Sequence, residues 1–239
     1  MSGRAWLAAY TGVAYLLAPL ALLRLVVRGI RHPAYWRRWG ERLGRLPFEN
    51  LEGAIWVHTV SVGEVMAALP LIHSLAEAYP RRPLVVTTTT PTGSQRVRDK
   101  LGDSVYHCYL PLDLPGPVRR FLGRTDPALA VILETELWPT LLTRARRRGV
   151  PVVVANARLS ERSLRGYGRV RGLLGRVLAG VHVEAQSQAD AERFRQVAGT
   201  APASIAVAGN LKYDREPDAQ AVAAGQHLRE DWGARPVWI

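Results

Sequence analysis

From Ala54 onward the chain alternates short apolar runs with amphipathic stretches, and this alternation restricts the fold more than any single motif. Strand-type runs fall at 54–60, 84–88, 105–110, 128–133, 152–155, 181–185 and 205–207. Helical patterns lie between them at about 65–79, 93–101, 115–123, 139–148, 162–178 and 188–198. In the first of these, Val65, Leu69, Ile72, Leu75 and Ala76 recur at helical spacing. Strands that alternate with helices predict an α/β domain, a Rossmann-like parallel sheet covered by helices on both faces. The connections are short and several carry proline or glycine, as such loops require.

A different segment precedes this domain. Ala5 to Leu23 carries no charged residue. As a helix it would extend about 28 Å, close to a bilayer core of about 30 Å. Only Arg4 precedes the run, whereas Arg24, Arg28, Arg31, Arg37, Arg38, Arg42 and Arg45 follow it. A cleaved signal peptide has the opposite charge order. The positive-inside rule therefore predicts a membrane anchor with the following domain on the cytoplasmic side. Pro19 is a place for a kink, and Trp36 and Trp39 among the arginines resemble an interfacial belt. A helix packed on the globular domain, or lying in the interface plane, is the alternative.

The formal charge is +12, and of the 32 basic residues only Lys100 and Lys212 are lysine. Arginine binds phosphate in a bidentate way and keeps its charge. With a bilayer-length apolar run beside it, this composition points to a phosphorylated or anionic-membrane partner and not to nucleic acid; a codon bias toward arginine is the plain alternative. Cys108 is alone, which excludes an internal disulfide or a zinc cluster. The divisions expected are a membrane anchor (1–29), a basic interfacial segment (30–50), the α/β domain (51–213), and a linker with the start of a further domain (214–239). The last rests on a polar stretch, Arg215 to Gln220, a helix near 218–232, and a strand-like Arg235-Pro-Val-Trp-Ile239.

In wound sheets, ligands bind beyond the carboxyl ends of the strands, so the residues there matter most. The first strand ends at Ser61-Val-Gly-Glu64. Ser61 and Glu64 match the S-x-x-E capping box, which would account for both structurally. The functional reading adds that Gly63 permits close approach of a substrate. It also has the helix N-terminus favouring an ionised Glu64, a candidate general base. The fourth strand ends at Glu134-Thr-Glu136, with Pro139 suited to the first turn of the next helix. Glu134 and Glu136 are either caps or a second acidic part of the site. E-x-E without other ligands makes a metal site unfavoured, and no cofactor motif is present.

Thr87-Thr-Thr-Thr-Pro-Thr-Gly-Ser94 closes the second strand, where Thr90 and Gly93 could cradle an anion or simply cap a helix. Asn156-Ala-Arg-Leu-Ser-Glu-Arg-Ser163 closes the fifth, placing Arg158 to meet a carboxylate or phosphate, with Ser160 a further candidate substrate-binding residue. Arg162, Arg165, Arg169, Arg171 and Arg176 read mostly as a solvated or membrane-facing surface. His58 reads as a satisfied core histidine. No P-loop, G-x-S-x-G or serine triad motif occurs.

Taken in order, Arg38-Trp-Gly-Glu-Arg-Leu-Gly44, His58-Thr-Val-Ser-Val-Gly-Glu64, Thr88-Thr-Thr-Pro-Thr-Gly93, Tyr109-Leu-Pro-Leu-Asp113, Glu134-Thr-Glu-Leu-Trp-Pro139, Asn156-Ala-Arg-Leu-Ser-Glu-Arg-Ser163 and Gly209-Asn-Leu-Lys-Tyr-Asp214 resemble the motifs of the 3-deoxy-D-manno-octulosonic acid (Kdo) transferases of lipopolysaccharide biosynthesis. The resemblance implies a GT-B glycosyltransferase with an N-terminal membrane anchor and two Rossmann-like domains. It implies transfer of Kdo from CMP-Kdo to a lipid A precursor, inverting and without metal or cofactor. It implies that Glu64 is the base and that Glu134 or Glu136 is a second essential acid. The family's nucleotide-sugar domain is expected beyond residue 239. Another lipid-linked GT-B transferase, or a non-catalytic lipid-binding remnant, is the competing expectation.

Overall fold

A computed structural model describes residues 5–168, 171–199, 201–214, 219–233, 235, 236 and 238. Helix α1 runs from Ala5 to Arg31 without a break at Pro19. A 3₁₀ turn, Pro33–Trp36, and the short α2, Trp39–Arg42, lead to the sheet. Then follow β1 (Ala54–His58), α3 (Val62–Ala78), β2 (Leu84–Thr88), α4 (Pro91–Leu101), β3 (Tyr106–Tyr109), α5 (Pro115–Thr125) and β4 (Pro127–Leu133). The second half is α6 (Pro139–Arg147), β5 (Val152–Ala157), α7 (Glu161–Gly168), α8 (Arg171–Leu178), β6 (His182–Ala185), α9 (Gln188–Ala198) and β7 (Ser204–Val207). A 3₁₀ turn, Leu211–Asp214, and α10 (Ala219–Trp232) close the chain.

The expected α/β fold is present. The seven strands form one parallel sheet in the order β3-β2-β1-β4-β5-β6-β7. The chain winds outward from β1 to β3, then returns to the other side of β1 with β4. The switch of direction therefore lies between β1 and β4, paired in register from Ile55 with Leu129 to His58 with Ile132. In such sheets the crevice at this point is where ligands bind.

Strand side chains alternate between two cores, because successive residues point to opposite faces. Trp56, Val85 and Ile132 pack on one face with Phe121, Leu122, Leu141 and Phe194. Ile55, Val57, Val86, Val131 and Leu133 pack on the other with Val65, Ile72 and Val97. Pro91, Pro115 and Pro139 each open a helix, where proline's missing N–H costs nothing.

The helix expected at 162–178 is helical on both sides of residues 169 and 170, which lie outside the described residues, as α7 and α8. No strand forms at the described Arg235, Pro236 and Trp238, and Val237 and Ile239 lie outside the described residues. Residues 215–218 of the expected linker also lie outside, and the helix expected near 218–232 is α10, Ala219–Trp232.

The largest difference concerns the basic segment at 30–50. Arg37 and Arg45 are exposed, but Arg42 is only 6% exposed and Glu41 5%. The Arg42 guanidinium lies 4.2 Å from the Tyr109 ring centre and donates to the Thr89 carbonyl at 2.9 Å. Arg38 donates to Glu41 Oε1 at 2.6 Å and to Ser94 Oγ at 2.7 Å. Glu41 Oε2 accepts from the Tyr109 N–H at 2.8 Å. This part of the collar is folded into the domain. It is a clamp between α2, β3 and the N-terminal turns of α4, in which each charge finds an opposite charge, a ring or a backbone dipole.

Candidate functional site

Glu64 stands in the first turn of α3, at the mouth of β1. Its Oε2 accepts from the Val60 N–H at 2.8 Å and its Oε1 from the Ser61 hydroxyl at 3.0 Å. The reciprocal capping box is only half formed: Ser61 Oγ turns to the Glu64 carboxylate and makes no cap bond to the backbone. The hydroxyl thus orients the acid instead of closing the helix. Burial is the largest influence on Glu64 and raises its pKa from the ordinary carboxylate value, against the hydrogen bonds from Val60 and Ser61; the Glu134 charge adds to the rise. The expected preference of the helix end for an ionised form is therefore outweighed. A raised carboxylate is better matched to taking a proton near neutral pH.

The second acidic motif meets the first across the β1–β4 crevice. Glu134 follows β4 directly with φ 58°, a left-handed backbone that a glutamate rarely adopts, and its N–H donates to the Ala155 carbonyl at 2.9 Å. Such conformations concentrate at functional sites. Glu136, half-buried, has its pKa raised first by burial, then by the charges of Glu64 and Glu134. The three acids thus share one electrostatic site. Among the described residues none of them forms a salt bridge. Also among the described residues, no group of three or more histidines, cysteines or acids could hold a metal ion.

The two glycines differ in kind. A Cβ on Gly93 would lie 3.0 Å from Thr90 Oγ1 and 3.2 Å from the Val60 carbonyl, so this glycine serves close packing. Thr90 caps α4, accepting from the Gly93 N–H at 3.1 Å while donating to Val60 O at 3.1 Å. Thr90 and Gly93 therefore brace the turn that carries Glu64. Gly63 is exposed, and a Cβ there would meet only Ser61 Oγ, at 3.9 Å. Among the described residues nothing demands a glycine at 63.

At the mouth of β5, Arg158 is exposed, and its guanidinium has no hydrogen bond or ion pair among the described residues; its carbonyl accepts from the Thr135 hydroxyl, tying the β5 loop to the acidic motif. Ser160 caps α7, accepting from the Ser163 N–H at 3.1 Å. His58 is fully buried, with Nδ1 at 2.9 Å from Thr87 Oγ1, and burial lowers its pKa to about 3. It is a neutral core residue, as expected, although its Nε2 has no partner among the described residues.

Two residues escaped sequence reasoning. Asp113, buried at the end of the β3 loop, accepts from the Thr140 and Leu141 N–H groups at 2.9 and 2.7 Å and so caps α6 from a distance. Asn156, with φ 53°, accepts from the Leu211 N–H at 3.1 Å and anchors the Gly209–Asp214 motif beside β5. Both sit inside strand-end motifs, but a cap supplied from another strand leaves no local pattern.

A parallel wound sheet with an acid-lined crevice at its switch point, preceded by an apolar helix, defines a Rossmann-like domain with a candidate ligand site. A sequence model described as 3-deoxy-D-manno-octulosonic-acid transferase (kdotransferase) matches residues 37–215. The 3-deoxy-D-manno-octulosonic acid transferase of Haemophilus influenzae is 37% identical over 238 residues, 98% of this chain and 56% of that protein. That of Bordetella pertussis is 38% identical over 85% of this chain and 49% of its own length. A probable mitochondrial one from Arabidopsis thaliana is 35% identical over 66% of this chain. The chain belongs to the Kdo transferase family. It spans about half the length of the Haemophilus and Bordetella relatives.

Proposed function

We propose that this chain is the acceptor-side half of an enzyme that transfers Kdo from CMP-Kdo to a lipid A precursor, with inversion at the anomeric carbon. The observation that carries the reading is Glu64: a half-buried carboxylate at the switch point, oriented by Val60 and Ser61, without a salt bridge among the described residues, and raised in pKa. In this reading Glu64 takes the proton of the acceptor hydroxyl as its oxygen attacks the anomeric carbon. The bond from that carbon to the CMP phosphate breaks, and CMP departs with the electron pair. CMP is a good leaving group, so no strong general acid is required of this half. Glu136, also raised, can hold a proton beside Glu64 and spare the crevice three adjacent negative charges. Glu134 fixes the turn that presents them.

Gly63 leaves room for the sugar ring, and Arg158 offers an exposed cation to an anionic group of donor or acceptor. The nucleotide-sugar domain is supplied by the remainder of the enzyme. The apolar α1, with exposed Arg24, Arg28, Arg31 and Arg37 around its end, attaches the domain to the anionic cytoplasmic face of the inner membrane, where a lipid acceptor resides.

The test is transfer by this chain joined to its nucleotide-sugar half, given CMP-Kdo and a lipid A precursor in mixed micelles. Mass spectrometry should show the acceptor gaining Kdo. Release of Kdo to water alone, or transfer only from a different nucleotide sugar, would contradict the reading.

A further inference from the structure

We propose that α1 does not cross the bilayer but lies lengthwise in the membrane surface, one side seated on the domain and the other dipped into the acyl region. The inference rests on the membrane reading above and concerns how the attachment is made. Its first ground is that the N-terminal end of the apolar run packs on the same domain to which its C-terminal end is joined through the Pro33–Trp36 turn. At the N-terminal end Trp6 is buried, and Leu7 and Tyr10 pack beside it against the core that contains Leu141 and Leu142. The Tyr10 hydroxyl donates to Asp113 Oδ2 at 2.9 Å, the same buried carboxylate that caps α6. At the C-terminal end the Trp36 indole N–H donates to the Val26 carbonyl at 3.0 Å. Its ring covers Gly29 so closely that a Cβ there would lie 1.9 Å from Nε1.

Between these ends the helix stays beside the domain. A cavity of about 270 Å³ is walled by Ala21, Arg24 and Leu25 on the helix and by Thr89, Leu112 and Trp138 on the domain. From Trp6 to Gly29 a helix rises about 35 Å, which exceeds a bilayer core of about 30 Å. A crossing helix would put these two residues on opposite sides of the membrane. One water-facing domain cannot hold both, so a crossing would strip Trp6 from its core and Tyr10 from Asp113.

The outer side of α1 supplies the second ground. Leu16, Leu20, Leu23, Val27 and Ile30 recur at alternating steps of four and three and are 76, 62, 57, 54 and 69% exposed. That is one continuous apolar stripe, with Arg24, Arg28 and Arg31 along its border. An aqueous protein rarely leaves such a stripe bare. The bordering cations select an anionic lipid surface as its cover: side chains of this type reach headgroup phosphates while the stripe enters the hydrocarbon. The seat passes Thr89, Thr90 and Leu112, at the carboxyl ends of β2 and β3. It therefore holds against the bilayer the sheet edge that carries Glu64, where an acceptor hydroxyl can be reached without extracting the lipid.

An epitope tag added before Met1 of the complete enzyme separates the possibilities. The expected result is that the protein sediments with membranes, and that protease added to sealed spheroplasts leaves the tag intact until the cells are lysed. Loss of the tag in sealed spheroplasts, with the protein still on membranes, would overturn the in-plane seat and leave membrane attachment standing. A protein found in the soluble fraction would instead overturn the membrane reading itself. In a second arm, Leu20→Glu with Leu23→Glu should move more than half of the protein off anionic phosphatidylglycerol vesicles; undiminished binding would overturn the stripe as the lipid-facing side.

Discussion

Glu41 and Glu64 both belong to family-like motifs, both lie close to the sheet's carboxyl edge, and their surroundings are opposite. Glu41 is buried, bonded to Arg38 and to the Tyr109 N–H, inside a clamp in which Arg38 and Arg42 both lie over the Tyr109 ring. Glu64 is half-buried, held by Val60 and Ser61, and its acidic neighbours Glu134 and Glu136 repel its charge. A charge satisfied on every side contributes to the fold. A charge aligned by hydrogen bonds yet left without an opposite charge is costly to the fold and is available to a substrate. Arginines divide in the same way: Arg42 is enclosed, and Arg158 stands exposed at the mouth of β5.

Substitutions can break this contrast. Glu41→Ala removes the carboxylate from an almost buried pair and leaves Arg38 and the Tyr109 N–H without it. The expected loss is about 3 kcal/mol of stability, the lower part of the range for such pairs because Arg38 is partly exposed. Urea unfolding measures it, and a loss under about 1 kcal/mol would remove the clamp from the fold's supports. Arg158→Ala should leave unfolding unchanged and weaken donor or acceptor binding by about 1.5–3 kcal/mol. Unaltered KM for both substrates would take Arg158 out of the site.

Glu136→Gln sharpens the contrast through pH. The folded-state pKa of Glu136 is raised above its unfolded value, so folding gains from the protonated form below the unfolded pKa and loses that gain as pH rises through the folded pKa. The variant should match the parent near pH 4 and exceed its Tm at pH 8 by about 2 °C. A variant less stable than the parent at pH 8 would mean that Glu136 makes a favourable contact when ionised.

Much of the sheet was legible because strand periodicity is local. All seven strands fall within two residues of the apolar runs, β1 stopping earlier and β5 continuing to Ala157. The acids at the ends of β1 and β4 were legible as strand-end residues. Their union at one crevice was not, since the neighbour relation of β1 and β4 is set by the crossover and no local pattern records it. The burial of the Arg38–Arg42 segment was hidden for a related reason. A polar, arginine-rich run looks like surface, and only the ring of Tyr109, brought up by β3, makes a buried place for it. Thr90 and Gly93 were legible as cap-or-ligand alternatives and Ser160 only as a ligand; the hydrogen bonds make Thr90 and Ser160 helix caps.

Glu64→Gln in the complete enzyme is the most direct measurement, taken as single-turnover transfer beside urea unfolding. Glutamine can still accept from the Val60 N–H, so stability should change by no more than about 1 kcal/mol. An amide cannot take the acceptor's proton, so turnover should fall by roughly a hundredfold or more. A variant that folds normally and transfers Kdo at close to the parent rate would contradict Glu64 as the base and leave it a residue of the α3 turn.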